Sequence, residues 1–427
     1  NTISHNHIKG YVTMKLGTTF AVSCLSVLSL SIWTQQAVAA SAFDPSSPWM
    51  LGDWNGKRTE LQQKGYDFSM GYTGEVATVL DSKDTSSHGT EYSGQLALGT
   101  HFDLQKLLGW QDTEAQITLT YRDGRNLTNT APALAGQVSS VQEVWGRGQT
   151  WRLTDLWIKK KFFDQALDVK VGRFGEAEDF NSFACDFQNL ALCGSQMGNW
   201  AGDQWYNWPV SQWAARVKYQ VTPEVYAQVG VFEYNPENLK RSKGFNLSTD
   251  GSHGALIPAE LVWTPKLGAN QLKGEYRAGY YYSTADANKL DDQGNALAET
   301  GHKQGGWITA RQQVTAHQGN TERGLSIWAN AAFFDDKTNA ISDVQNIALS
   351  YIGAFDSRPK DEIALGFARI HKEIDGFDNE YNAELYYGIH AANWLTIRPN
   401  VQYVRHVGAI KDGNNAWVGG IKFQTVF

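Results

Sequence analysis

The chain has 427 residues and a formal net charge of −7, with no basic stripe, which argues against a nucleic-acid partner. No apolar run after residue 40 reaches the ~18 residues that a membrane helix needs, and no Pro/Ser-rich hinge or charge block divides the chain. Ten prolines against 41 glycines, with 12% aromatic residues, suit many strands joined by turns.

The first 39 residues read as an upstream extension (1–13) followed by a secretory signal. Met14-Lys15 gives a positive start, Phe20 to Trp33 an apolar centre, and Ala37-Val38-Ala39 a small-residue cleavage pattern. Residues 40–427 are then one mature domain. Cys24 leaves with the signal, so Cys185 and Cys193, eight positions apart, remain as an even pair in an oxidising compartment. A disulfide between them is expected, closing a small loop.

Asn55 to Lys64 reads as a short amphipathic helix stopped by Gly65. It plugs or caps an opening, or simply precedes the first strand. From Tyr66 onward the period is two. Ala115, Ile117, Leu119 and Tyr121 alternate with Gln116, Thr118, Thr120 and Arg122; Leu395, Ile397, Val401 and Tyr403 face away from Thr396, Arg398, Asn400 and Gln402. Sixteen such segments are counted, of ~10 residues each, the even number and length of a transmembrane β-barrel.

A soluble β-sandwich or propeller would also alternate. Two features favour the barrel. The polar face carries both charges (Arg122, Arg216, Lys218, Glu275, Arg277, Arg398), as a wet lumen needs, and the last strand, WVGGIKFQTVF, ends on an aromatic, Phe427. Closure also removes sheet edges that lipid cannot satisfy.

Between the fifth and sixth segments lies a strand-poor stretch, residues 175–210, with Cys185, Cys193, three tryptophans and an acidic entrance. Long loops of this kind are usually functional or disordered, and aromatics with a closable cysteine pair argue against disorder. It is expected to fold into the barrel mouth and set what passes.

Five motifs then carry a resemblance: LGDWNGKRTELQQKG (Leu51–Gly65), WRLTDLWIKKKF (Trp151–Phe162), VKVGRFGEAEDF (Val169–Phe180), WYNWPVSQWAARVKYQ (Trp205–Gln220) and VFEYNPENL (Val231–Leu239). With Phe427 at the end, the chain resembles the carbohydrate-selective porins of the OprB family. The resemblance implies a monomeric, all-β, 16-stranded antiparallel channel in the bacterial outer membrane, among its lipid and lipopolysaccharide. It implies an inward-folded third loop at the constriction and passage of glucose-like monosaccharides; no cofactor is expected. It also places Arg122, in YRDGRN, at that constriction.

A sugar filter needs aromatic faces for the apolar side of the ring and charged or amide groups for the hydroxyls, with binding weak enough for exit. Trp205, Asn207 and Trp208 are candidates for the first surface; Arg122, Arg125, Glu176, Glu178 and Asp179 for the second. Each tryptophan has the alternative of interfacial girdle or loop core. Arg122 shares parity with Thr118 and Thr120. Arg173 follows Leu167, Val169 and Val171 on the apolar face and points inward only if the strand ends or bulges there; a strand-end ion pair is its alternative.

No G-x-S-x-G, H-E-x-x-H or Walker motif is present, and no metal site is expected. The acidic trio imitates a glycosidase pair or a calcium site, but its spacing suits neither well. The readings kept open are a less selective porin for small polyols or hydroxy acids such as quinate, and an outer-membrane hydrolase. An enzyme is not expected.

Overall fold

The computed structural model describes residues 40–83, 88–201 and 204–427; the expected signal segment lies outside the described residues. Setting aside the two-residue piece Lys266–Leu267, sixteen antiparallel strands form one sheet. The strands that matter below are β1 (Tyr66–Ser82), β2 (Thr90–Asp103), β3 (Thr113–Gly124), β4 (Trp151–Phe162), β5 (Leu167–Phe174), β6 (Gln212–Thr222), β7 (Val225–Tyr234) and β8 (Gly254–Trp263). They continue through β9 (Leu272–Leu290), β10 (Ala296–Gln313), β11 (Gly324–Phe334), β12 (Ile341–Ile352), β13 (Glu362–Lys372), β14 (Asn379–Ala392), β15 (Leu395–Arg405) and β16 (Ala416–Val426). Each strand pairs with the next, and β16 returns to β1 from Gly71↔Val426 to Ser82↔Ala416. The sheet is a closed barrel.

Burial is inverted relative to a soluble protein. Ile308, Ile347, Phe367, Leu385, Val401 and Ile421 stand exposed, while Thr309, Asn346, Glu384, Asn400, Gln402 and Lys422 are buried. Lipid-facing apolar and lumen-facing polar residues alternating along most of the strands produce that pattern. Aromatic pairs near strand ends, Tyr121 with Trp151 and Trp263 with Tyr276, form the interfacial girdles.

The sequence placed the ninth and tenth segments at 270–283 and 304–316; the structure extends them into one long hairpin, with Asp286 paired to His302 and Asn288 to Thr300. The text there is polar on both faces. Apolar periodicity disappears once a hairpin leaves the bilayer, although the backbone pairing continues.

The N-terminal helix spans Lys57–Lys64 after a single turn, Trp54–Gly56, and ends at Gly65, whose φ of +105° closes the C-cap. It packs on the closing seam of the barrel. Arg58, stacked 4.2 Å from the Trp49 ring and 5.1 Å from Trp54, donates to the carbonyls of Phe427 (2.7 Å) and Phe68 (2.6 Å). The helix therefore ties the last residue of the chain to the start of the first strand.

One end of the barrel carries short turns, such as 163–166 and 223–224; the other carries the long loops 125–150, 175–211 and 235–253. In outer-membrane barrels the short turns are periplasmic. The loops 125–150 and 175–211 both fold into the lumen, where the sequence had indicated only the latter.

Candidate functional site: an infolded constriction

The inward turn of the two loops has a visible cause. Four lumen-facing glutamates accept backbone N–H groups that would otherwise be buried without partners. Glu384 takes Gln188 N–H (2.9 Å) and Asn189 N–H (2.7 Å), and Glu260 takes Asn181 N–H (2.8 Å). Glu380 takes Val138 and Ser139 N–H (2.7 and 2.9 Å), and Glu75 takes Val144 N–H (3.1 Å). The loop 175–211 also buries Phe180, Phe187, Leu192, Met197, Trp200 and Trp205 against wall residues including Trp307, Trp328 and Tyr386. The loop 125–150 does the same with Leu127, Leu134 and Val141 against Val79, Val404 and Val418. Cys185 and Cys193 are joined by a disulfide within the longer loop.

The sequence candidates separate into groups by what they touch. Glu178 and Asp179 both accept from Lys170 at 2.9 Å, and Asp179 also faces Arg216 at 3.4 Å. Burial works to raise the Asp179 carboxyl but is outweighed by Lys170 and Arg216, which hold it below the usual carboxylate range. Burial raises Glu178 well above that range, with Asp155 adding to the effect. These two acids fasten the root of the loop to β5 and β6.

Glu176 is enclosed. Its Oε2 accepts Tyr206 N–H at 3.2 Å, and its Oε1 has no hydrogen-bond partner among the described residues. Burial pushes this carboxyl up to about 8. The ring of Trp205 is 0% exposed and lies edge-on to Tyr281 and Trp307, each at 5.5 Å, which is the loop-core position. Asn207 donates to Ser195 carbonyl (2.9 Å) and Asn199 Oδ1 (2.8 Å), bracing the returning limb against the turn Gln196–Trp200. A side chain at Gly198 would collide with Asn207 and Trp205, so glycine permits that close approach.

Arg173 is buried at the strand end, after Gly172 with its φ of +138°. It donates to the carbonyls of Asn246 (2.7 Å) and Ser211 (2.8 Å). Together with Arg152, which donates to the carbonyls of Asn238 (2.6 Å) and Leu239 (2.8 Å), it clamps the loop 235–253. That loop also pairs with β4, through Leu153 N–H to Gly244 carbonyl at 2.8 Å. The wall loses its regular pairing where the chain leaves β5 for the lumen, and the fourth loop covers the gap. Arg125 is 74% exposed and pairs with Glu91 at 2.9 Å.

The remaining two candidates converge. Arg122 Nε donates to Gln95 Oε1 at 2.7 Å, and Trp208 Nε1 donates to the same oxygen at 3.1 Å. Gln95 lies directly across from Arg122 in the β2–β3 register. Trp208 is half-buried and Arg122 is 6% exposed. The charges acting most strongly on Arg122 are Glu143, Arg147, Glu75 and Arg152. Both of those carboxylates are engaged by Lys422, at 2.8 Å for Glu143 and 3.5 Å for Glu75.

Gln95, Arg147 and the anchoring glutamates were not singled out from sequence. A glutamine on a polar strand face carries no distinguishing signal. The stretch 125–150 gave no periodicity, and its length was the one available hint of an infolded loop.

Comparison with known proteins agrees with this architecture. Residues 87–427 match the carbohydrate-selective porin, OprB family. The chain is 54% identical to Porin B of Pseudomonas aeruginosa over 441 aligned positions, covering 95% of this chain and 97% of that protein. The high-pH structure of Pseudomonas putida OprB superposes with a TM-score of 0.87 at 53% identity, over 91% of this chain and all of that one. The low-pH structure of the same porin gives 0.63 at 47% identity, over 90% of this chain and all of that one. A closed sixteen-strand barrel with infolded loops and a family match over most of its length leave one assignment: this chain belongs to the OprB family of carbohydrate-selective porins and is an outer-membrane diffusion channel for sugars.

Proposed function

We propose that the channel passes glucose-like monosaccharides along a surface made by Arg122, Gln95 and Trp208. The observation that carries this reading is the single oxygen of Gln95 that orients both the guanidinium and the indole. An indole face suits the apolar side of a pyranose, and a guanidinium fork donates charge-assisted hydrogen bonds to hydroxyls. In this reading Arg125 lies at the mouth. Glu176, Glu178, Asp179, Asn207, Trp205 and Arg173 act by holding the loops that frame the passage.

A second reading has its own support. Arg122, Arg147 and Arg152 cluster while the adjacent carboxylates are taken by Lys422, so positive charge is in surplus. That favours hydroxy acids or sugar acids beside neutral sugars. The barrel completes its lumen from one chain, which supports a monomer lying in outer-membrane lipid and lipopolysaccharide. It works by diffusion without catalysis.

The test is solute flux into liposomes, comparing glucose, a disaccharide, a sugar acid and an amino acid, for the wild type, Arg122→Ala and Trp208→Ala. Faster entry of glucose than of a size-matched amino acid, reduced in both variants, is the expected result. Equal entry of everything below one size limit would reduce the channel to unselective diffusion. Preference for the sugar acid over glucose would favour the second reading.

A further inference from the structure

We infer that Gln95 is a positioning residue that sets what the constriction discriminates. It is an uncharged acceptor that aims Arg122 and Trp208 together and brings no opposing charge to Arg122. The inference rests on the preceding reading of Arg122 and Trp208 as the solute-contacting pair.

Three elements meet at this amide: β2 supplies Gln95, β3 supplies Arg122, and the end of the third loop supplies Trp208. Gln95 lies in register between two paired strands, opposite Thr73 on one side and Arg122 on the other, so its own backbone is fixed by the wall. A carbonyl oxygen has two lone pairs, and both donors arrive within hydrogen-bonding distance, at 2.7 and 3.1 Å.

The bond to Arg122 is made at Nε, and Gln95 is the one hydrogen-bond partner of that side chain among the described residues. A guanidinium held at Nε keeps its terminal fork for other acceptors. Trp208 is likewise held by its only polar atom, which leaves its ring faces for contact. The same oxygen therefore fixes the angle between the two binding surfaces.

The neutrality of the amide matters as much as its reach. A carboxylate in its place would form a closed ion pair with Arg122 and cancel its charge. Glu143 and Glu75, whose charges act on Arg122 from further off, pair directly with Lys422, and among the described residues no carboxylate forms an ion pair with Arg122 itself. An amide is the side chain of this length that binds both donors and keeps the field positive.

Two substitutions separate these roles. Gln95→Met keeps the volume and removes the acceptor; Gln95→Glu keeps the acceptor and adds a charge. Both are purified, checked for a compact folded band on an unheated gel, and compared with wild type and with Arg122→Ala. The readouts are liposome flux and the reversal potential in a salt gradient. Gln95→Met removes both hydrogen bonds to that oxygen and is expected to lower the flux ratio of glucose to a size-matched amino acid by about fivefold or more, the scale of each lost bond, with the reversal potential unchanged. Gln95→Glu is expected to move the reversal potential toward cations and to depress sugar-acid entry relative to glucose by about the same factor. A wild-type flux ratio in Gln95→Met, with Arg122→Ala lowering it, overturns the inference and leaves the site reading standing. A wild-type ratio in both means that the site reading has failed and the inference with it. If the Met variant gives no folded band, the reversal potential of Gln95→Glu decides alone, and an unmoved potential overturns the inference.

Discussion

Glu176 is the residue whose chemistry is most altered by its place in the fold. Its carboxyl is pushed up to about 8 by burial, against the opposing pull of its own and Tyr206 backbone N–H groups and of Arg147. Because the folded value lies above the ordinary 4.5, the neutral acid is the form the loop packs around. Its stabilisation is complete below about 4.5 and is lost as pH rises through about 8. Hydrogen exchange across the loop 175–211 should show loosening with a midpoint near that value, absent in Glu176→Gln. Loosening of equal size and midpoint in the glutamine variant would mean that another group is responsible. Arg122 and Trp205 illustrate how far the sequence reached at this scale. Strand parity gave the direction of Arg122 because each residue in a strand reverses the last. Trp205 has no such periodicity to fix it, and whether it met lumen or core depended on Tyr281 and Trp307, far away in the chain.

The third loop, as an element, is held by three independent devices: the disulfide, the apolar contacts with the wall, and the carboxylate anchors. Replacing Cys185 and Cys193 by serine removes a constraint worth roughly 2.5 kcal/mol in the chain-entropy model. None of the strand pairing involves either cysteine, so the barrel should still fold while the preference for glucose over an amino acid falls. Loss of the folded band in that variant would show instead that the loop is needed for assembly. Glu384→Ala leaves Gln188 and Asn189 N–H without their acceptor, at about 1–3 kcal/mol for each buried group. Single-channel conductance in planar bilayers is expected to rise as the loop detaches. Unchanged conductance would mean that the apolar contacts suffice to hold it. The fourth loop shows the reverse dependence: Arg152 and Arg173 clamp it where the third loop has left the wall, so one loop is seated by the departure of another.

At the scale of the whole molecule, closure is the decisive event, since an open edge in lipid would expose unpaired backbone. The seam between β1 and β16 is reinforced by Arg58, whose two charge-assisted bonds to the carbonyls of Phe427 and Phe68 hold the last residue to the start of the first strand. Arg58→Met should destabilise the closed barrel by about 3 kcal/mol. The check is the temperature at which the compact gel band converts to the unfolded one. A conversion temperature equal to wild type would show that the strand pairing alone secures the seam. The helix thus acts as a latch at the closure, and its sequence signals, Gly65 above all, defined its end without indicating what it would pack on.

What the sequence by itself determined was the wall. Sixteen alternating segments, an aromatic C-terminus and polar lumen residues are local properties, each legible within ten residues, and the resemblance of five motifs named the family. The tertiary structure alone decided the constriction. Loops infold where distant glutamates offer acceptors to buried N–H groups, and Glu384 lies nearly two hundred positions from the Gln188 it holds. The meeting of Gln95, Arg122 and Trp208 follows from closure of the barrel and return of the loop. A barrel wall is built from nearest neighbours and its repeat is written along the chain; its constriction is built across the lumen, and no period records it.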